Sequence, residues 1–320
     1  MGRALQATAL LLAMSVLVFF GIYVIGNPID VLINPDADQA EIQRAIAALG
    51  LDRPLHEQYL NFLRKAATGD LGRSFVSGMP ALQLIFDKMP ATLELALAAM
   101  LIAIGIGVPL GLYAGLRPQT RASQAIMTGS VIGFSLPSFW VGLMLIMVFA
   151  VELGWLPSGG RGTTQPVLGL GLSFTNWEGL RHLLLPALTL ALYKLSLIVR
   201  LTRSGTREAM TQDYIRFARA KGLSESRVIG VHVLKNILIP LVTVLGIEFG
   251  GLIAFAVVTE TIFAWPGMGK LLIDSINVLD RPVIVAYLMV IVLVFVTINL
   301  IVDVLYTLLD PRVRLKAEAA

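Results

Sequence analysis

The residues whose types and spacing best fit binding chemistry lie in the basic stretch between Arg200 and Lys235. It holds eight lysines and arginines against three acids. Apolar runs long enough to cross a bilayer lie on both sides of it, and a long basic loop between two such runs is retained on the cytoplasmic side. The stretch therefore predicts a docking surface for a cytoplasmic partner. The simpler interpretation is a charged loop that only fixes topology.

Two short helices are predicted inside this stretch. The first has an aromatic face built by residues at helical spacing, namely Tyr214, Phe217, Ala218 and Lys221. Gly222 fits the left-handed residue that ends this helix. Ser224 is a good N-cap for the second helix, which we expect to run to about residue 235. Pro240 then falls in the first turn of the next apolar run, where its missing N–H costs little.

Ionisable residues inside apolar runs form a second group. Glu248 lies near the middle of such a run, where a carboxylate is costly enough to be a functional hypothesis. It could line a path and meet an ammonium group, or it could be a protonated or hydrogen-bonded residue at a helix interface. Four others are closer to the ends of apolar runs and are predicted to be interfacial: Glu94, Lys194, Glu260 and Asp303.

The sequence lacks the motifs that an intramembrane enzyme would be expected to carry. There is no cysteine, the three histidines are far apart in sequence, and neither HExxH nor GxSxG occurs. The phosphate-binding pattern GxxxxGK[ST] is absent as well, so uphill transport would need energy from another chain. The net charge of +4 does not indicate nucleic-acid binding, because the basic residues cluster beside apolar runs.

The composition of the chain indicates that membrane-spanning helices position these residues. Of the 320 residues, 56% are hydrophobic and only 14% are charged, which is typical of a polytopic membrane protein. Because about 20 apolar residues cross a bilayer, we expect six spans, near 4–25, 92–116, 122–151, 184–201, 237–262 and 283–309. Lysine and arginine in the short flanks place both termini and 202–236 in the cytoplasm, with 27–89 and 264–281 outside.

The two predicted outer segments carry local structural signals. Asp36 can cap a helix that ends at Gly50, and Asp52 with Pro54 can open a second one. This first segment, 27–89, is either a small cover over the spans or a contact surface for an external substrate-binding protein. In the second segment, Trp265, Pro266 and Gly267 form a Pro-Gly turn signal. Its tryptophan could simply be an interfacial anchor.

Several motifs together resemble a known family. They are DYIRFARAKG from Asp213, GDLGRSF (69–75), ATLELALAAM (91–100), SLPSFWVGLMLI (135–146), TETIFAWPGMGKLL (259–272) and DPRVR (310–314). They resemble the B-type permease subunits of dipeptide and oligopeptide importers, which are binding-protein-dependent ABC transporters of the bacterial inner membrane. The resemblance covers most of the chain. One departure is that the family's EAA triplet falls on Arg216, Phe217 and Ala218, so its acid is missing.

The resemblance implies an all-α fold in one transmembrane domain, 1–320, with six transmembrane helices and type I importer architecture. It implies a non-enzymatic subunit that carries peptides or similar small solutes, without a cofactor of its own. The implied partners are a second homologous permease, two cytoplasmic ATPases that hold ATP and magnesium, an external substrate-binding protein and membrane lipid, but no nucleic acid. It also places the turn at Trp265 near the outer mouth of the path.

The resemblance further implies that the basic loop is the ATPase-coupling element. The coupling residues would be Asp213, Tyr214, Arg216, Phe217, Ala218, Arg219, Ala220, Lys221, Gly222, Leu223 and Ser224. The alternative function is a secondary transporter that uses Glu248 as an ion or proton site. That class predicts internal repeats with matching broken helices, and the sequence has no such pairing.

Overall fold

The structure, a computed structural model, describes residues 2–25, 38–49, 52–167 and 169–309. The helices of the first half are α1 (Gly2–Ile25), α2 (Gln39–Leu49), α3 (Leu55–Ala67), α4 (Ala81–Leu116), α5 (Arg121–Ser135) and α6 (Ser138–Leu145), which continues as a π-helix (Ile146–Glu152). Those of the second half are α7 (Trp177–Thr211), α8 (Asp213–Ala220), α9 (Glu225–Arg227), a π-helical segment (Val228–Val233), α10 (Leu234–Ile262), α11 (Met268–Asn277) and α12 (Arg281–Leu309). Among the described residues, strands β1 (Gln165–Val167) and β2 (Leu170–Leu172) form an antiparallel hairpin. The all-α prediction is confirmed.

Within the described ranges, four helices are long and apolar enough to cross a membrane. They are α4, α7, α10 from Pro240 and α12 as far as Val302. Helix α5 meets α6 and its π-helical continuation at a bend of 104°. If this bent pair is one span, the number of spans is five. The apolar part of α1, Ala9–Gly21, is shorter than a span. Length and composition therefore identify four or five spans among the described helices. A total of six spans remains a prediction.

One compact unit consists of Met1–Thr92 and Pro266–Val296. In it, α3 packs on α1 through aromatic side chains: the ring of Phe19 meets those of Tyr59 and Phe62 at centroid distances of 5.2 and 5.9 Å. Helix α3 begins at Leu55, close to the start that Asp52 and Pro54 predict, but Pro54 is its N-cap and no side chain caps it. The predicted cap and stop of α2, Asp36 and Gly50, lie outside the described residues.

The GDLGRSF motif forms a tight loop in the same unit. The hydroxyl of Ser74 donates to the carboxylate of Asp280 at 2.5 Å, and the backbone N–H of Phe75 donates to the same carboxylate at 3.0 Å. Gly72 has a φ of +90°, and a Cβ added there would lie 3.3 Å from Pro282. The motif therefore fixes the loop before α4 against the start of α12.

The other unit consists of Leu93–Trp265 and Thr297–Ala320. Helices α4 and α7 approach closely along a glycine stripe in this unit. A Cβ added at Gly107, Gly111 or Gly115 would come within 2.8 Å of side-chain atoms of α7. Small residues at such spacing let two backbones pack tightly. The stripe therefore holds α7 in a fixed position, and α7 leads directly into the predicted coupling loop.

Two predictions about the second short helix are corrected. Glu225 begins a helical path that continues through Val228–Val233 into α10, so no break separates the loop from the span. Pro240 therefore lies inside α10 and not in its first turn. The local signals were sound, but an N-cap pattern shows where a helix begins and not how far it continues.

Candidate functional site

Helix α8 lies on a small apolar core of its own. Ile215 and Ala218 face inward and are buried. The other buried members of this core are Ala209, Val228, Val233 and Ile237, with Leu112, Met210 and Leu223 packed at its edge. The core contains side chains from the end of α7, from α8, from the π-helical segment after it and from the start of α10. Helix α8 is therefore anchored on both of the helices that it connects.

The opposite face of α8 is exposed and aromatic. Phe217 is 62% exposed and Tyr214 is 39% exposed. The ammonium of Lys221 lies 4.6 Å from the centre of the Phe217 ring. An exposed aromatic pair beside cationic groups is the composition found where protein interfaces gain most of their energy. Ala218, one of the predicted coupling residues, lies on the buried side of α8 and is not part of this exposed face.

Gly222 ends α8 as predicted. Its φ is +76°, and its N–H donates to the carbonyl of Arg219 at 2.9 Å. The N–H of Leu223 donates to the carbonyl of Ala218 at 3.3 Å. These two bonds form a Schellman motif, in which the residue after the helix must be left-handed. Ser224 is the N-cap of α9 by position, but its hydroxyl pairs with that of Ser226 instead of capping.

Ion pairs within the chain restrain the loop further. The guanidinium of Arg219 makes two bonds to the carboxylate of Glu225, at 2.8 and 3.1 Å, across the Gly222 turn. Arg216 lies 3.6 Å from Asp213. The resemblance implies that Arg219 is a coupling residue, and in this chain its guanidinium pairs with Glu225. Lys221, the C-cap of α8, places its ammonium over the Phe217 ring instead.

An ion pair that the sequence did not predict lies between α7 and α10. Lys194 is the central residue of α7, and its ammonium pairs with the carboxylate of Glu248, the central residue of α10. The Lys194 side chain is 10% exposed and that of Glu248 is 28% exposed. The prediction that Lys194 is interfacial is therefore wrong. The rule that singled out Glu248, an ionisable group inside an apolar run, also applies to Lys194.

Glu94 is also buried, and it organises the loop before α7. Its carboxylate accepts bonds from the backbone N–H groups of Ser173 and Phe174 at 2.7 and 2.9 Å, and from Arg161 at 2.6 Å. The Arg161 guanidinium also lies 5.6 Å from the centre of the Trp265 ring. Glu94 is therefore a structural anchor of this loop, and its predicted position at the membrane interface remains a prediction. Glu260 is likewise fully buried, and the Asp303 side chain lies outside the described residues.

The Trp265, Pro266 and Gly267 segment differs from its sequence-based interpretation. Trp265 is fully buried, so it is not a lipid-facing anchor. Gly267 is extended, with a φ of −92°, and is the N-cap of α11. The left-handed residue of this turn is Ala264, with a φ of +47°. The Pro-Gly pair therefore opens a helix instead of forming the tight part of the turn.

Comparisons with known proteins agree with these features. A family model described as "Binding-protein-dependent transport system inner membrane component" matches residues 107–315. A second model, for the N-terminal part of such membrane components, matches residues 1–96. In the structural comparison, a chain of the MetNI methionine ABC transporter in inward-facing conformations superposes with a TM-score of 0.53 at 17% identity, over 71% of this chain and 97% of that chain.

Three curated relatives are similar over nearly their whole length. The di/tripeptide transport system permease DppB of Pseudomonas aeruginosa strain UCBPP-PA14 is 42% identical over 90% of each chain. The oligopeptide transport system permease AppB of Bacillus subtilis strain 168 is 39% identical over 97% of each chain. The glutathione transport system permease GsiC of Escherichia coli O6:H1 strain CFT073 is 38% identical over 98% of each chain.

Proposed function

The chain belongs to the family of inner-membrane components of binding-protein-dependent transport systems, and from this membership we propose that it carries short peptides or similar small solutes into the bacterial cytoplasm. It is the permease subunit of an ABC importer. The substrate class is supported by three relatives, whose names specify di/tripeptides, oligopeptides and glutathione. Their shared chemistry is a short peptide, and the exact cargo is set by the binding protein that delivers it.

The observation that carries the mechanism is the exposed aromatic face of α8 above its own core. Because the sequence lacks a nucleotide-binding motif, the energy must come from ATPase subunits that hold ATP and magnesium. A short rigid helix with exposed Tyr214 and Phe217 suits a groove on such a subunit. Closure of two ATPases would then move α8, and with it the ends of α7 and α10, as one body.

The proposed assembly contains this chain, a second homologous permease, two ATPases on the cytoplasmic side and an external substrate-binding protein. Both termini and the α8 loop lie in the cytoplasm, as the distribution of lysine and arginine supports. The turn at Trp265 to Gly267 lies on the outer side, near the mouth of the path. Family membership favours this function over a secondary transporter that would use Glu248 as an ion site.

Reconstitution tests this function. The chain, its partner permease, the ATPases and the binding protein are placed in proteoliposomes, and uptake of radiolabelled dialanine, trialanine and glutathione is measured. We expect vanadate-sensitive uptake of at least one of them that disappears when the ATPases are omitted. Uptake that persists without the ATPases and follows an ion gradient would establish the secondary transporter instead.

A further inference from the structure

The strongest unassigned feature of the molecule is the oppositely charged pair at the centres of two long apolar helices. Lys194 on α7 and Glu248 on α10 pair directly, and more than a quarter of the Glu248 side chain is exposed. Removing two charges from water is costly even when they are paired, and apolar residues of similar size would serve packing as well or better. A role in packing alone therefore does not explain the pair.

The break between α5 and α6 lies near this pair, beside the part of α7 that carries Lys194. Phe134, in the last turn of α5, stacks on Tyr193 with ring centroids 4.7 Å apart. Beyond it the chain leaves helical geometry and bends by 104° before α6. Pro137 and Ser138, at this break, are exposed on this chain. Irregular backbone inside a membrane is tolerated only against protein or water, so this region faces a partner or a water-filled path and not lipid.

Tyr193 adds an aromatic flank to the same site. It is 43% exposed, and the Lys194 ammonium lies 5.2 Å from the centre of its ring. A Cβ added at Gly251, on α10, would lie 3.9 Å from the Lys194 ammonium, with no other side chain within 4 Å. The pair therefore has an exposed edge at Glu248 and room for a small side chain at position 251.

We propose that Lys194 and Glu248 form a subsite for a zwitterionic peptide, in which the two termini of the substrate replace the internal partners. The peptide ammonium would pair with Glu248, and the peptide carboxylate would accept from Lys194. Each charge exchanges one charged partner for another, so no charge is left unpaired when the pair opens or closes again. This inference rests on the proposed function, because it requires a substrate with free termini.

The double variant Lys194→Gln with Glu248→Gln separates this role from a structural one. It leaves neither charge unpaired, so we expect it to assemble with its partners at the native level. Uptake of radiolabelled dialanine should nevertheless fall at least about ten-fold, because the subsite has lost both charges. If the pair only holds α7 against α10, the double variant transports at the native rate while the single variants are impaired, and the proposal is wrong.

A direct test of occupancy uses a single cysteine, since the chain contains none. Gly251→Cys should react with a water-soluble methanethiosulfonate in the assembled complex, and Leu252→Cys, at a position only 3% exposed, should not. Dialanine with the binding protein and vanadate should slow the Gly251→Cys reaction at least about three-fold. An unreactive cysteine at 251, or one that dialanine does not protect, would overturn the subsite. Failure of the native complex to take up any of the three probes would overturn the proposed function itself.

Discussion

Lys194 and Glu248 pair at the midpoints of α7 and α10, and α7 continues without interruption from this pair to the proposed coupling loop. At the rise of an α-helix, the end of α7 lies about 25 Å from Lys194. The glycine stripe fixes the side of α7 that faces α4. Movement of α8 would therefore reach the ion pair through one continuous, tightly packed helix.

The first prediction concerns the turn after α8. Gly222→Val should weaken ATPase binding and transport, because a β-branched residue at a φ of +76° costs about 1–2 kcal/mol. No atom lies within 4 Å of an added Cβ, so the effect is one of backbone conformation and not of crowding. Gly222→Asn is the matched control, because asparagine tolerates this conformation best among the other residues. ATPase pull-down and uptake should be strongly reduced for Val and largely retained for Asn; equal behaviour of the two would contradict a requirement for the left-handed turn.

The second prediction concerns the packing of α4 on α7. In Gly111→Ala the new Cβ would lie 2.6 Å from Thr202 Cβ and 2.7 Å from the Val199 carbonyl oxygen, so the helices must separate. We expect a loss of about 1–3 kcal/mol in the free energy of unfolding. Gly105→Ala, with nothing within 4 Å of its Cβ, should be neutral or slightly stabilising. Thermal unfolding of the two purified variants checks this, and equal melting temperatures would show that the stripe is not a close contact.

The third prediction concerns Glu94. Glu94→Gln keeps the size of the side chain but removes the charge that meets Arg161 and two backbone N–H groups. Breaking such a buried network should cost about 3 kcal/mol. Glu178→Gln, an exposed position near the same loop, should change the free energy of unfolding by less than about 0.5 kcal/mol. Thermal unfolding should therefore separate the two variants by several degrees, and a similar melting temperature for both would show that Glu94 is not an anchor.

The fourth prediction concerns topology. Single cysteines at Ser204, Ala47 and Asp274 occupy exposed positions of this cysteine-free chain. An impermeant maleimide added to whole cells should label the cysteines at 47 and 274, and should label the one at 204 only after permeabilisation. The reason is the concentration of lysine and arginine around 200–235. Labelling of position 204 in intact cells would reverse the proposed orientation.

The sequence predicts the local features of the proposed coupling loop well, because these features depend on near neighbours in the chain. The helical spacing of Tyr214 and Phe217 and the left-handed conformation of Gly222 both follow from local chemistry. The sequence does not predict the pairing of Arg219 with Glu225, because it does not show which charged side chains the turn at Gly222 brings together. The partner of Glu248 was missed for a stronger reason: Lys194 is on another helix, and the register of two helices is set by packing.

The central claim is that the exposed face of α8 contacts an ATPase subunit. Phe217→Cys introduces the sole thiol of the chain at a position that is 62% exposed in the isolated subunit. Val231→Cys, at a position 51% exposed on the segment after the loop, is the control. Both variants are assembled with their partners and treated with a short bifunctional thiol cross-linker, and the adducts are identified by mass spectrometry.

We expect the cysteine at 217 to yield an adduct with the ATPase, and to react more slowly with soluble maleimide once the complex is assembled. The cysteine at 231 should show neither effect. If the complex transports peptide while the cysteine at 217 gives no ATPase adduct and reacts with maleimide as fast as in the isolated subunit, α8 is not the coupling helix.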